Sequence, residues 1–75
     1  MEKHWKFTEH FAQRFVDRFD STDVSEIVKF FNANVLQCIF TCLVRGAKQR
    51  SRIGRFTVCY VWDERIMKLV VTTVY

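Results

Sequence analysis

The segment RFTVCYVWDERIMKLVVTTVY, residues 55–75, decides the fold class of this chain. Arg55–Trp62 and Ile66–Tyr75 are both rich in β-branched and aromatic residues, which suit the pleated surface of a strand. Asp63 and Glu64 lie between them and predict a tight hairpin turn. A two-residue turn sets a register in which one set of side chains shares the face that helices would cover: Phe56, Val58, Tyr60, Met67, Leu69 and Val71.

A further long strand is predicted at Val35–Arg45, which has a similar composition. Alternation along that strand would place Gln37, Thr41 and Arg45 on the uncovered face of the sheet. The hairpin register adds Lys68 to the same face. One face of the sheet is therefore expected to be packed, and the other to be open and basic.

The residues before this strand predict two helices. The first has Thr8 as its N-cap and an apolar stripe that repeats every four residues: Phe7, Phe11, Phe15 and Phe19. The second follows the spacing of a core-facing helix: Val24, Ile27, Val28 and Phe31. Asn32–Asn34 is expected to end it, since Asn tolerates the left-handed conformation that follows a helix. Lys3–Phe7 would form a short edge strand.

The predicted fold is a single α+β domain over residues 1–75. Two N-terminal helices pack on one face of a three- to four-stranded antiparallel sheet, in the order (β)ααβββ. The chain has no Pro and only two Gly, so no linker divides it. A chain of this length buries only about 60% of its unfolded surface, and eight Phe residues enlarge the small core that results.

Five basic residues fall within eleven positions with no acid among them: Arg45, Lys48, Arg50, Arg52 and Arg55. Residues 1–34 hold five Lys or Arg against six Asp or Glu, whereas residues 35–75 hold seven against two. Such a cluster is an electrostatic footprint for a polyanion, most often nucleic acid. Arg also matches phosphate with two parallel hydrogen bonds. With Lys68 and Thr72 from the open face, the cluster predicts a phosphate-binding surface; a solvated hairpin loop is the alternative.

A second candidate site lies on the first helix, where His10, Arg14 and Arg18 recur every four residues. Cleavage of RNA by its own 2′-hydroxyl needs proton transfer and positive charge, which His and Arg supply. The alternative is the polar flank of an amphipathic helix. Tyr75 either fills an apolar gap, or stacks on a base or carries a proton.

The three cysteines lack the spacing of metal ligands, and no Gly-rich phosphate loop is present, so no cofactor is expected. In the predicted strand Cys38 and Cys42 would lie roughly 13 Å apart, too far for a disulfide. Reduced thiols indicate a cytoplasmic protein. Met1–His4 leads into no apolar run, and Val35–Val44 is too short to span a bilayer, so no membrane partner is expected.

Two parts of the chain resemble the RelE-type toxins and the wider group of small ribonucleases that includes colicin-like tRNA-cleaving domains. One is the His10, Arg14 and Arg18 helix; the other is residues 54–63 with residues 70–75, which resemble a G-R-[FY]-x-V-x-Y strand and a closing V-x-T-V-Y strand. The resemblance implies a metal-independent endoribonuclease. It also implies that Arg55 contacts the scissile phosphate and that Tyr75 approaches the base.

Two classes of function are left open. The first is an endoribonuclease toxin acting on mRNA or tRNA, with His10, Arg55 and Tyr75 as catalytic residues. Its nucleic-acid contacts would be Arg14, Arg18, Arg45, Lys48, Arg50, Arg52 and Lys68. The second is a binding module without activity, either a nucleic-acid-binding regulator or a phage-type inhibitor that docks on an acidic protein. The predicted partners are RNA or another polyanion, an antitoxin or host protein, and a second copy of the chain.

Overall fold

The computed structural model describes residues 4–75, and in them one four-stranded sheet carries two helices on one face. The helices are α1 (Glu9–Arg18) and α2 (Val24–Arg45), joined through a 3₁₀ turn at Ser21–Asp23. The strands are β1 (Trp5–Phe7), β2 (Lys48–Ile53), β3 (Phe56–Asp63) and β4 (Lys68–Val74).

The strands lie in the order β1-β4-β3-β2. β2, β3 and β4 form an antiparallel meander, whereas β1 runs parallel to β4 with Trp5 opposite Leu69. An irregularity between Cys59 and Tyr60 shifts the β3–β4 register. Because of this bulge, Val71 and Val74 both turn into the core although three positions separate them.

The predicted fold class is wrong, because the two helices are not the first elements of the fold and the sheet is not antiparallel throughout. The strand β1, which the prediction treated as optional, precedes both helices, and its parallel pairing with β4 makes the sheet mixed. The cause is Trp5, whose buried ring packs against Phe31 and whose Nε1 donates to Asn32 Oδ1 at 3.0 Å. These contacts connect residues far apart in sequence, which local patterns do not report. Lys3, the predicted start of this strand, lies outside the described residues.

The predicted strand at Val35–Arg45 is also wrong, because α2 continues through Asn32–Asn34 to Arg45. A polar side chain in the expected helix end forms a hydrogen bond within the helix, because the Asn34 side-chain amide donates to the Phe30 carbonyl at 2.9 Å. Packing overrides the strand propensity of this segment, because its buried residues form one continuous helical stripe: Ile27, Phe31, Cys38 and Cys42. Consequently Gln37 and Thr41 lie on a helix and not on the open face of the sheet.

The β3–β4 turn is longer than predicted. Asp63 pairs with Lys68, so four residues connect the strands instead of two. Tyr60 consequently lies opposite Val71 and not opposite Met67. This register differs from the predicted one by an even number of residues, so the side chains stay on their predicted faces of the sheet. Met67 is the exception, because it is exposed. The packed side chains are Phe56, Val58, Tyr60, Leu69 and Val71.

The prediction for α1 is confirmed. Thr8 is the N-cap, and its Oγ1 accepts a hydrogen bond from the Phe11 amide at 3.0 Å. Of the predicted Phe stripe, Phe11 and Phe15 lie on α1, whereas Phe7 ends β1 and Phe19 is the C-cap. The four rings still contact one another in sequence, and the Phe15 ring lies 5.6 Å from that of Phe56 in β3. α1 thus covers one half of the packed face, and α2 covers the half formed by β2 and β3.

Among the described residues, α2 is one helix long and apolar enough to cross a membrane by length and composition. Its most apolar window has a mean hydropathy of 1.6, and 22% of that window is buried inside the fold. The prediction that this segment is too short for a bilayer rested on Val35–Val44 alone, which is less than half of the helix. Core helices of soluble proteins meet the same criterion, so the helix alone decides nothing about a membrane.

The first prediction tests the packing of α2. Phe31 is fully buried between Trp5 and Tyr60, so Phe31→Ala should lower the free energy of unfolding by about 3–5 kcal/mol. Lys29→Ala changes an exposed residue of the same helix and should shift it by less than about 0.5 kcal/mol. Urea unfolding followed by circular dichroism measures both. Equal effects from the two variants would contradict the placement of α2 over the sheet.

Candidate nucleic-acid interface

The strand β2 carries a row of cations on one side. Lys48, Arg50 and Arg52 are exposed, and they alternate with Gln49, Ser51 and Ile53, which face the helix side. Side chains two residues apart on a strand lie about 6.6 Å apart, so the three cations form a regular row. Most of the predicted basic loop is therefore an edge strand. Ile53 is the one apolar residue of this strand, so its pairing with β3, and not its composition, makes it part of the sheet.

Cross-strand pairing extends this row into a surface. Arg50 lies opposite Cys59, which lies opposite Thr73, and Lys48 lies opposite Val61. We call this surface the open face; its members are Lys6, Lys48, Arg50, Arg52, Thr57, Cys59, Val61, Lys68, Val70 and Thr73. Asp63 is the acid at its margin, and its carboxylate accepts a hydrogen bond from the Arg65 amide at 3.0 Å. The open face is thus basic at its rim and neutral at its centre.

A shallow groove of about 590 Å³ crosses the open face. Lys48 and Arg50 line one wall, and Thr72 and Thr73 line the other. The floor is formed by Cys59 and Val61, and the exposed ring of Tyr75 lies at the rim. The groove therefore combines cations, hydroxyl groups, a small apolar floor and an aromatic ring.

The end of β4 brings part of the second candidate site to this groove. Arg14 Nε donates to the Val74 carbonyl at 3.2 Å, and the guanidinium carbon lies 5.5 Å from the centre of the Tyr75 ring. His10 and Arg18 are exposed on the same helix and line a depression of about 200 Å³ with Arg14. The structure thus brings Arg14 to Tyr75, with His10 one helical turn away.

Arg55 has different partners. Its guanidinium forms an ion pair with Asp23 and lies 5.1 Å from the centre of the Phe56 ring. Phe56 is buried beneath the helices, so Arg55 sits on the helix side of the sheet whereas Tyr75 contacts Arg14. Of the three predicted catalytic residues, Arg55 is therefore engaged in a contact that connects the β2–β3 turn to the start of α2.

The remaining predicted residues fall in two places. Lys68 begins β4 on the open face, opposite Asp63. Arg45 is the last residue of α2, next to Gly46, and is not on the sheet. Lys6 was missed by the sequence analysis, although it pairs with Val70 and adds a cation to the open face. Its signal is the alternation of buried Trp5 with exposed Lys6, which is too short in a three-residue strand to distinguish from chance.

The ionisable side chains buried between α2 and the sheet are uncharged near neutral pH. The Tyr60 hydroxyl lies 2.9 Å from Ser51 Oγ, and burial raises the pKa of Tyr60, an effect that the Ser51 hydrogen bond partly offsets. Burial also raises the pKa of the Cys38 and Cys42 thiols. These groups stay protonated near neutral pH, so they act as core residues and not as reacting groups.

Within residues 4–75, no three His, Cys, Asp or Glu side chains are arranged to hold a metal ion. Comparison with known proteins gives no match to any family model and none to a curated protein.

The second prediction concerns the cysteines. Cys59 is half-buried on the open face, whereas Cys38 and Cys42 are buried beneath α2 and their raised pKa lowers the fraction of reactive thiolate. At about pH 8, iodoacetamide should therefore alkylate Cys59 first, as peptide mass spectrometry will show. Denatured protein is the control and should react at all three cysteines with similar rates. Faster labelling of Cys38 or Cys42 in the folded protein contradicts the assignment.

Proposed function

We propose that this protein binds single-stranded nucleic acid, and RNA in particular, on the open face. One observation carries the proposal: three exposed cations repeat along β2, and two of them, Lys48 and Arg50, border a groove that ends at an exposed Tyr. A repeated row of cations suits a repeated anion, and a phosphate backbone is such a ligand.

The shape of the open face favours a single strand. Proteins that bind single strands combine a positive groove along the backbone with aromatic rings on which bases stack. In this chain Lys48, Arg50 and Arg52 would follow the backbone, while Tyr75 would stack on a base. The small residues Cys59 and Thr73 leave room between the wall and the ring.

An acidic protein segment is the competing partner. It would meet the same cations, but its carboxylates do not require a ring at the end of the groove. The exposed Tyr75 at the end of the groove therefore favours a nucleic acid. A protein with this activity and three reduced thiols belongs in the cytoplasm, and we include that location in the proposal.

The third prediction tests the row of cations. Arg50→Gln combined with Arg52→Gln should weaken the binding of a fluorescent single-stranded RNA about tenfold or more at low salt. It should also reduce the slope of log affinity against log salt by about 1.4, since each phosphate contact on a single strand contributes about 0.7. Fluorescence anisotropy over a range of salt concentrations gives both quantities.

The matched control is Lys29→Gln combined with Arg65→Gln, which are exposed residues of α2 and of the β3–β4 turn. Both double variants lower the net charge of the chain from +4 by two, so they have the same overall charge. The control should retain the parent's slope, and bound RNA should slow alkylation of Cys59. If the two double variants bind alike, net charge and not the open face causes the binding.

RNA cleavage is a second candidate function, favoured by the contact of Arg14 with Tyr75. That contact places the α1 stripe at the end of the groove, where His10 would transfer a proton and Arg14 would stabilise charge on the phosphate. The resemblance to RelE-type ribonucleases supports the same chemistry. Arg55 is less suited to the phosphate than the resemblance implies, because Asp23 already neutralises it.

The fourth prediction follows from that assignment. If the protein cleaves RNA, His10→Ala should lower the rate by about 10²–10⁴-fold, the usual cost of losing a general acid or base. Its stability should change little, since His10 is exposed. Cleavage of labelled RNA and thermal unfolding are measured on the same samples, with Gln13→Ala on the same helix as control. Intact RNA with the parent protein would leave binding as the function and end the nuclease assignment.

A further inference from the structure

The outer side of α2 exposes large apolar residues. Leu36, Phe40, Leu43 and Val44 are 72%, 65%, 61% and 64% exposed, although Cys38 and Cys42 in the same segment are buried. These four residues, which we call the α2 patch, lie on the side of the helix that faces away from the sheet. Nothing in the function of the open face uses them.

The spacing of the α2 patch is typical of a helix that pairs with another helix. Ala33, Leu36, Phe40 and Leu43 are separated by three, four and three residues. This is the spacing of the a and d positions in a coiled-coil seam, which lets side chains of two helices interlock. Ala33 is also exposed, and its small side chain allows close approach of a second helix.

The four residues of the α2 patch and the positions between them are uncharged. Lys29 and Arg45 are the charged residues nearest to it along the helix, and the fifteen positions between them are uncharged. The neighbouring polar groups are neutral, among them exposed Asn32 and Gln37. Two positively charged copies could therefore meet here without burying or opposing charges.

We propose that the α2 patch binds a second copy of this chain and forms a closed dimer. The exposed fractions of the four side chains amount to roughly 400–500 Å² of apolar surface, within the range of about 300–600 Å² for the largest apolar patch of a monomer, which is often functional. A pair would bury about twice that area. Bordering residues would add enough to approach the roughly 1,200 Å² at which specific interfaces begin.

A lipid surface fits the α2 patch less well. Helices that lie in a membrane interface carry Lys and Arg along the polar side opposite their apolar side. In α2 the opposite side is not polar and solvent-exposed; it is buried against β2 and β3 through Phe31 and Cys38. The α2 patch of a second copy matches both the coiled-coil spacing of this patch and its absence of charge.

The proposed dimer has a defined relation to the open face. α2 covers one side of the sheet and the open face is the other, so pairing through α2 leaves both grooves accessible on the outer sides. The contact is self-complementary, with the same patch on each copy, and so it closes at two. The dimer does not depend on the proposed RNA binding, and the two are tested separately.

The fifth prediction tests the dimer by sedimentation equilibrium of the full chain without nucleic acid. The parent should have twice the mass of one chain at micromolar concentration. Phe40→Glu should raise the dissociation constant at least about 100-fold, because it places a carboxylate in an apolar contact. The matched control is Val16→Glu, an equally charged change at a residue of α1 that is 67% exposed and outside the α2 patch.

Two further measurements complete the test. Circular dichroism should show that Phe40→Glu folds like the parent, since its side chain lies outside the core; Leu36→Lys is a second variant with the same expected loss. The proposal is overturned if the parent stays monomeric at high concentration or forms an open series of larger species. It is also overturned if Val16→Glu disrupts the pair as much as Phe40→Glu, or if a monomeric parent floats with phospholipid vesicles.

Discussion

The packing of α2 across β2 and β3 is the contact on which the rest of the structure depends. Phe31 is fully buried between Trp5 of β1 and Tyr60 of β3, so one side chain connects both halves of the sheet to the long helix. Asn32, the next residue, accepts the Trp5 indole hydrogen bond and holds β1 beside β4. Because the helices cover this face alone, the other face of the sheet is left to solvent.

The consequence is a molecule with two dissimilar sides. The alternation of side chains in β2 sends Ser51 inward to Tyr60 and Arg50 outward to the groove. Arg55, from the same basic segment as Arg50, has a structural contact instead. Its ion pair with Asp23 connects the β2–β3 turn to the start of α2. Neighbouring arginines thus differ in availability, and position on the strand decides which of them can meet an anion.

The apolar outer side of α2 and the basic open face lie on opposite sides of the sheet. Binding at one therefore does not obstruct the other, and a dimer through α2 would present two grooves. Tyr75 connects the groove to α1 through its contact with Arg14. Any chemistry at His10 would consequently take place at the end of the groove in which we propose that nucleic acid binds.

The sequence by itself determined the features that depend on local periodicity. These are the Thr8 cap and Phe stripe of α1, the buried side of the β3–β4 hairpin, and the concentration of positive charge in the second half. Tertiary structure alone decided the parallel pairing of β1, the extension of α2 through Asn34, and the strand at β2. The physical reason is that a period of two or four appears in neighbouring residues, whereas pairing joins residues as distant as Trp5 and Leu69. The basic residues could therefore be identified from the sequence, but the pairing of Arg55 with Asp23 could not.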